Sequence, residues 1–214
     1  MFPGGSLPER TCDVIVGSAT HNRITSPRNL INVGVFTAVY FVVLFAGGML
    51  GILNPVMVLL GALAGTVVNA MVCMLYVAKT RALGAYTLLG LVIGLLMVAT
   101  GHAWVTPILS TGLGLLADLV TRAGGYTRTS TNALGFAVFS VWCVGPVLPV
   151  LWGSEEYFAD MARRMGQDYA DTFRELATPA VIGGWVVLVF LVAFGCALVG
   201  VRVLHKHFER AGVA

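Results

Sequence analysis

Runs of apolar residues broken by short polar turns dominate this sequence. Six of them reach or approach the ~20 residues needed to cross a hydrocarbon core. They cover residues 30–50, 55–77, 83–100, 104–121, 131–152 and 179–204. The pattern predicts six transmembrane helices, because a lipid-embedded segment must satisfy its backbone hydrogen bonds internally. Ser26-Pro27, Asn54-Pro55 and Thr178-Pro179 mark three helix starts, each pairing a capping side chain with a proline in the first turn.

Between the fifth and sixth runs, residues 153–178 form the one long polar connection. In it Tyr157, Met161, Met165, Tyr169, Phe173 and Leu176 recur at three- and four-residue spacing. That spacing predicts a surface helix with one apolar and one charged face. Two placements fit it, over the mouth of the bundle or at the lipid headgroups.

Composition agrees with the pattern. Of 214 residues, 57% are hydrophobic and 11% charged, with a mean hydropathy of +0.87. Soluble domains carry about 25% charged residues. The chain therefore reads as an all-α membrane protein: a segment at 1–29, expected to be poorly ordered and cytoplasmic, then a six-helix membrane domain at 30–214 with the external loop 153–178. Residues 1–29 lack the apolar stretch of a signal sequence, so the first membrane helix is expected to direct insertion.

The net charge of +3 matters less than where the charges fall. Arg10, Arg23, Arg28, Lys79, Arg81, Arg122, Arg128, Arg202, Lys206 and Arg210 all lie on one side of six crossings. The other side carries six acidic residues and three arginines, all within 153–178. The positive-inside rule then places both termini in the cytoplasm.

Chemistry-bearing motifs are sparse. There is no HExxH, GxSxG or phosphate-binding GxxxxGK[ST], so neither catalytic residues nor ATP hydrolysis are expected of this chain. Cys12, Cys73, Cys143 and Cys196 show no paired spacing and read as small hydrophobes, not metal ligands. Asp118 is the one acid inside a predicted span. Pairing with Arg122 one turn on is the expected use, and a proton relay the sharper alternative. Asn69 is expected to bond between helices.

His102 and Trp104 occupy the short external turn between the third and fourth runs. This histidine can contact a ligand or simply sit beside an interfacial tryptophan. Met49 flanks the neighbouring external turn, where a thioether serves packing or an adaptable pocket. Small residues repeat every four positions at Gly34/Ala38, Gly47/Gly51, Gly61/Gly65 and Gly90/Gly94, a spacing that lets helices approach closely in lipid.

Five runs in order carry a family resemblance: GVFTAVYFVV (34–43), GLLMVATGHAW (94–104), GLLADLV (114–120), GFAVFSVWCVGPVLP (135–149) and HKHFERAG (205–212). Together they resemble the S components of energy-coupling factor (ECF) transporters, in the branch called MptD or Trep-Strep. The resemblance spans roughly residues 30–212. It implies a prokaryotic plasma-membrane subunit that captures a micronutrient outside, alongside an EcfT-like transmembrane coupling subunit and two ATPase subunits. It also implies that Gly34 and Ala38 meet the coupling subunit, as GxxxA where the family pattern is AxxxA. Ligand contacts would come from the external turns and helix ends: Met49, Asn54, His102, Trp104, Tyr157 and Tyr169. No intrinsic cofactor is implied; haem or another iron chelate is the expected cargo, with a vitamin as the alternative. An ion-coupled secondary transporter and a non-transporting scaffold are the competing classes.

Overall fold

Local sequence signals decide where the helices begin. In the computed structural model, which describes residues 24–151 and 155–210, the Ser26 hydroxyl accepts from the Asn29 amide at 3.3 Å and opens α1 (Pro27–Met49). The Asn54 carboxamide oxygen accepts from the Val56 amide at 2.8 Å and opens α2 (Pro55–Thr80). Arg81, at φ 42°, closes α2 in the left-handed region. Next come α3 (Ala85–Ala99), α4 (Val105–Ala123) and α5 (Thr129–Ser140). The chain tightens into a 3-10 stretch at Val141–Val147, around Gly145-Pro146, and then into one helical turn, α6 (Leu148–Leu151). The external segment is two helices, α7 (Glu155–Met165) and α8 (Gln167–Leu176), broken at Gly166 (φ 97°). Finally α9 (Pro179–Arg210) returns across the bundle. No strand occurs among the described residues.

Helix α1 packs on α2, α2 on α9, α9 on α5, α5 on α4 and α4 on α3, and α3 touches α1 to close the ring. An aromatic cluster fills the middle. The Phe139 ring lies 5.3 Å from Tyr86, 5.9 Å from Tyr40 and 6.4 Å from Trp142. The outward faces are apolar: Val35, Val42, Leu95, Leu115, Leu188 and Leu191 are exposed, as a lipid-facing surface requires.

Among the described residues, four segments are long and apolar enough to span a membrane: Pro27–Ile52, Pro55–Thr80, Thr129–Leu151 and Pro179–Arg202. The third and fourth predicted spans fall short of that standard. Helix α3 has 15 residues, a rise of about 22 Å against a ~30 Å hydrocarbon core. Helix α4 carries Asp118 and Arg122.

Glycines set the close approaches. A methyl group on Gly47 or Gly61 would overlap the other's carbonyl oxygen, so α1 and α2 touch through bare backbone. Gly90 and Gly94 play the same part for α3 against Ser110 and Pro107 of α4. A methyl group on Gly34 would meet nothing within 4 Å among the described residues, and both it and Ala38 are exposed on α1.

Asp118 does not pair with Arg122. It is fully buried, and its oxygens accept from the Tyr86 amide (3.0 Å), the Thr87 amide (2.9 Å) and the Thr87 hydroxyl (2.6 Å). Helix α3 starts at Gly84 (φ 97°), which has no side chain to cap it. The carboxylate of a neighbouring helix therefore receives the orphan amides. Asn69 bonds between helices as expected, donating to the Tyr40 carbonyl at 3.3 Å.

Arg28, Lys79, Arg81, Arg122, Arg128 and Arg202 are exposed at one end of the bundle. Arg10, Arg23, Cys12 and the expected disorder of residues 1–23 lie outside the described residues, as do the side chains of His205, Lys206 and Arg210. The positive-inside rule assigns the basic end to the cytoplasm.

Candidate functional site

The apolar face of the α7–α8 hairpin packs at the opposite end. Phe158 and Phe173 are buried against Val150, with Tyr157, Met161 and Tyr169 around them. The Arg174 guanidinium lies 4.3 Å from the centre of the Phe158 ring and pairs with Glu155 at 2.7 Å, joining the two helices. The Tyr169 hydroxyl donates to the Gly51 carbonyl at 2.8 Å, tying α8 to the α1–α2 turn. Of the two placements open to the amphipathic segment, the structure adopts the one over the bundle mouth.

A cavity of about 210 Å³ opens in the outer half of the bundle, among α1, α2, the 3-10 stretch and α9. Phe45 and Met49 of α1, Met97 of α3, Trp142 and Cys143 of the 3-10 stretch, and Trp185 of α9 line it, with His102. Among the described residues no charged side chain belongs to its lining, so whatever enters it is held by shape, aromatic faces and a few polar atoms.

His102 is the titratable group best placed to choose a ligand. The Thr100 hydroxyl donates to the Met97 carbonyl at 2.8 Å, which uses its only proton. His102 Nδ1 lies 3.1 Å from that hydroxyl oxygen and 3.2 Å from the same carbonyl. Both neighbours then act as acceptors, so this pattern puts the ring proton on Nδ1 and the lone pair on Nε2. Although the side chain is exposed by area, the protein atoms around it desolvate the ring enough to lower its pKa below 6.5. The bond to Met97 opposes that shift only in part. A neutral imidazole oriented by a carbonyl is the usual arrangement of a metal-ligating or acceptor histidine.

Beside the cavity runs an open groove of about 490 Å³ bordered by Trp104, Pro149, Glu156, Tyr157, Asp160 and Arg164, among others. Asp160 pairs with Arg163 at 3.2 Å and with Arg164 at 2.8 Å. Arg164 Nη1 would lie 3.3 Å from a methyl group on Gly101, so α7 reaches the His102 turn. Burial and the nearby Tyr169 push the Tyr157 hydroxyl up to about 12, and it stays neutral at physiological pH.

The residues expected from sequence thus separate. His102 and Met49 meet in the cavity, while Trp104, 75% exposed, and Tyr157 border the groove. Asn54 caps α2 and Tyr169 anchors α8, so both are committed to structure. Trp142, Trp185, Met97 and Cys143 were not anticipated as a group. Each looks like core or lipid-facing sequence, and only tertiary packing turns them toward one space.

No similar protein was found among curated sequences, and no solved structure matches the chain. A family model described as a hypothetical bacterial integral membrane protein, Trep_Strep, matches residues 27–210, the whole helical bundle. The chain therefore belongs to the Trep_Strep family of bacterial integral membrane proteins.

Proposed function

We propose that the chain is the substrate-binding subunit of an ECF-type importer, taking a micronutrient from outside the cell. The outer-half cavity is the observation that carries this reading: it lies toward the side where a nutrient arrives and is walled by groups suited to a flat ligand. Two further features support it. Gly34 and Ala38 leave a smooth strip on α1 that nothing among the described residues covers, suited to a coupling subunit's helix. Asp118, the one acid within the described spans, is committed as a helix cap, which weighs against ion-coupled transport. ATP hydrolysis is assigned to separate subunits.

For the cargo, haem or another iron chelate suits the neutral imidazole of His102 and the thioethers of Met49 and Met97. The size of the cavity favours a second reading. At about 210 Å³ it lies below the ~300–1,000 Å³ typical of sites enclosing drug-sized ligands. A single-ring vitamin fits it as it stands, whereas a tetrapyrrole enters only if the lining residues move apart.

Co-purification with a coupling subunit and two ATPases, and uptake that stops when the ATPases are inactivated, test the class. Uptake driven by a proton or sodium gradient without them would replace it with a secondary carrier. Titration with haemin tests the cargo: a Soret shift that His102→Ala diminishes is expected. No shift, with a colourless vitamin retained through purification, selects the smaller ligand.

A further inference from the structure

The open groove between α4 and α7 shares no lining residue with the cavity, so it is a second concave surface with its own chemistry. Trp104 and Tyr157 give it aromatic faces, and Glu156, Asp160, Arg163 and Arg164 give it both signs of charge. Its two guanidiniums share one carboxylate: Asp160 takes Arg163 through Nη2 and Arg164 through Nε. Each arginine has five N–H donors, so the pair has donors left for one more anion. Glu156, one turn before Asp160, makes no ion pair among the described residues. An anion site and a cation site thus stand seven to eight positions apart on α7, about 11 Å of helix rise. The second observation is on α4. Trp104 heads an exposed stripe that continues through Ile108, Gly112, Leu115 and Leu119 at three- and four-residue spacing. A methyl group on Gly112 would meet nothing within 4 Å among the described residues, so the stripe is open there. The groove therefore lies at the external end of a lipid-facing track, at the headgroup level that tryptophan favours.

We propose that this groove binds the headgroup of an outer-leaflet phosphatidylethanolamine, with its phosphate on Arg163 and Arg164, its ammonium on Glu156, and an acyl chain along Ile108, Gly112 and Leu115. A soluble zwitterion would use the groove alone, whereas a lipid uses the groove and the stripe together. An extended phosphoethanolamine, with a charge-assisted hydrogen bond of about 2.8 Å at each end, bridges a span of the order that separates the two sites. Trp104 and Tyr157 offer their faces to the ammonium and the carbons that carry it. Choline is a poorer match because it has no N–H to give the Glu156 carboxylate. A glycerol headgroup brings no positive charge at all and leaves Glu156 unpaired. The site is independent of the nutrient cavity and of the importer reading.

The test uses the full-length protein in phosphatidylcholine vesicles doped with phosphatidylethanolamine or phosphatidylglycerol whose acyl chains carry bromine, a quencher of nearby indoles. The Trp104 signal is the difference between each protein and its Trp104→Phe counterpart. Phosphatidylethanolamine is expected to quench it at about two- to fivefold lower doping than phosphatidylglycerol. Glu156→Gln removes the cation site and should turn the preference toward phosphatidylglycerol. Arg163→Gln combined with Arg164→Gln should weaken quenching by both lipids. All three side chains are exposed, so these variants keep the fold. Equal quenching by the two lipids in wild type, no quenching by either, or a preference that Glu156→Gln leaves unchanged overturns the proposal. So does loss of the quenching on adding water-soluble O-phosphoethanolamine at the concentration of the lipid, which would make the groove a site for a free solute.

Discussion

The Asp118 carboxylate accepts both the amide and the hydroxyl of Thr87, at 2.9 and 2.6 Å, across the interface between α4 and α3. A residue that looked like half of a surface ion pair is the cap of another helix. Asp118→Ala leaves two amides and a hydroxyl unsatisfied where water does not reach. We expect a loss of about 1–3 kcal/mol, against about 1 kcal/mol for Thr87→Val. Thermal unfolding in detergent measures both. Asp118→Asn keeps one acceptor oxygen, so an intermediate loss with normal ligand retention is expected; a fully folded Asp118→Asn that cannot transport would reopen a proton relay.

The sidedness of the bundle is open to labelling. In a cysteine-free background, Glu155→Cys in α7 should react with a membrane-impermeant thiol reagent in intact cells, and Gly125→Cys should not. The opposite outcome inverts the orientation and with it the assignment of the cavity to the outer face.

Helix α1 carries two kinds of small residue with opposite expected responses. Ala38 is exposed, so Ala38→Leu should change stability by no more than about 0.5 kcal/mol while weakening assembly with the proposed coupling subunit. Gly61→Ala pushes a methyl group into the Gly47 carbonyl and should cost about 1–3 kcal/mol with no partner present. If Ala38→Leu instead unfolds the isolated chain, the strip packs internally.

His102 makes a signed prediction for pH. Its pKa is lowered in the folded protein, so near pH 6.5 the unfolded chain binds more protons than the folded one. Its contribution to stability is present above the unfolded value and lost as pH falls through 6.5 toward the folded value. Unfolding midpoints should decline from pH 7.5 to 5.5 more steeply in wild type than in His102→Gln. Ligand affinity should decline over the same range, since protonation removes the Nε2 lone pair. A His102 resonance titrating above 6.5 in an NMR experiment would contradict both.

The sequence made the frame legible because its signals are local. Hydropathy locates the spans, and Ser26-Pro27 and Asn54-Pro55 cap helices as their chemistry dictates. Distant pairings were not legible: nothing around Asp118 announces Thr87, 31 residues earlier. The cavity was half legible. His102 and Met49 stand at external turns and invite attention. Trp185 and Trp142 lie within apolar runs, and only the packing of α9 and the 3-10 stretch at Val141–Val147 brings them together. That stretch could itself be suspected from Gly145-Pro146, since proline supplies no backbone donor to an α-helix. Asn54 and Tyr169 show a use the sequence did not separate from ligand contact: polar groups at a membrane surface also serve helix ends and tertiary anchors.

The 15 residues of α3 bear on the lipid as well as on the protein. Its outward Leu91, Leu95 and Val98 stand on a helix about 16 Å shorter in rise than α2, so acyl chains on this flank must compress. Each ångström of mismatch costs a fraction of a kcal/mol, and tilt offers no relief because it shortens the reach of a short span further. A dimple of thinned lipid is thereby written into one short helix. Bilayers of longer-chain lipids should deepen it, and thinner bilayers should flatten it.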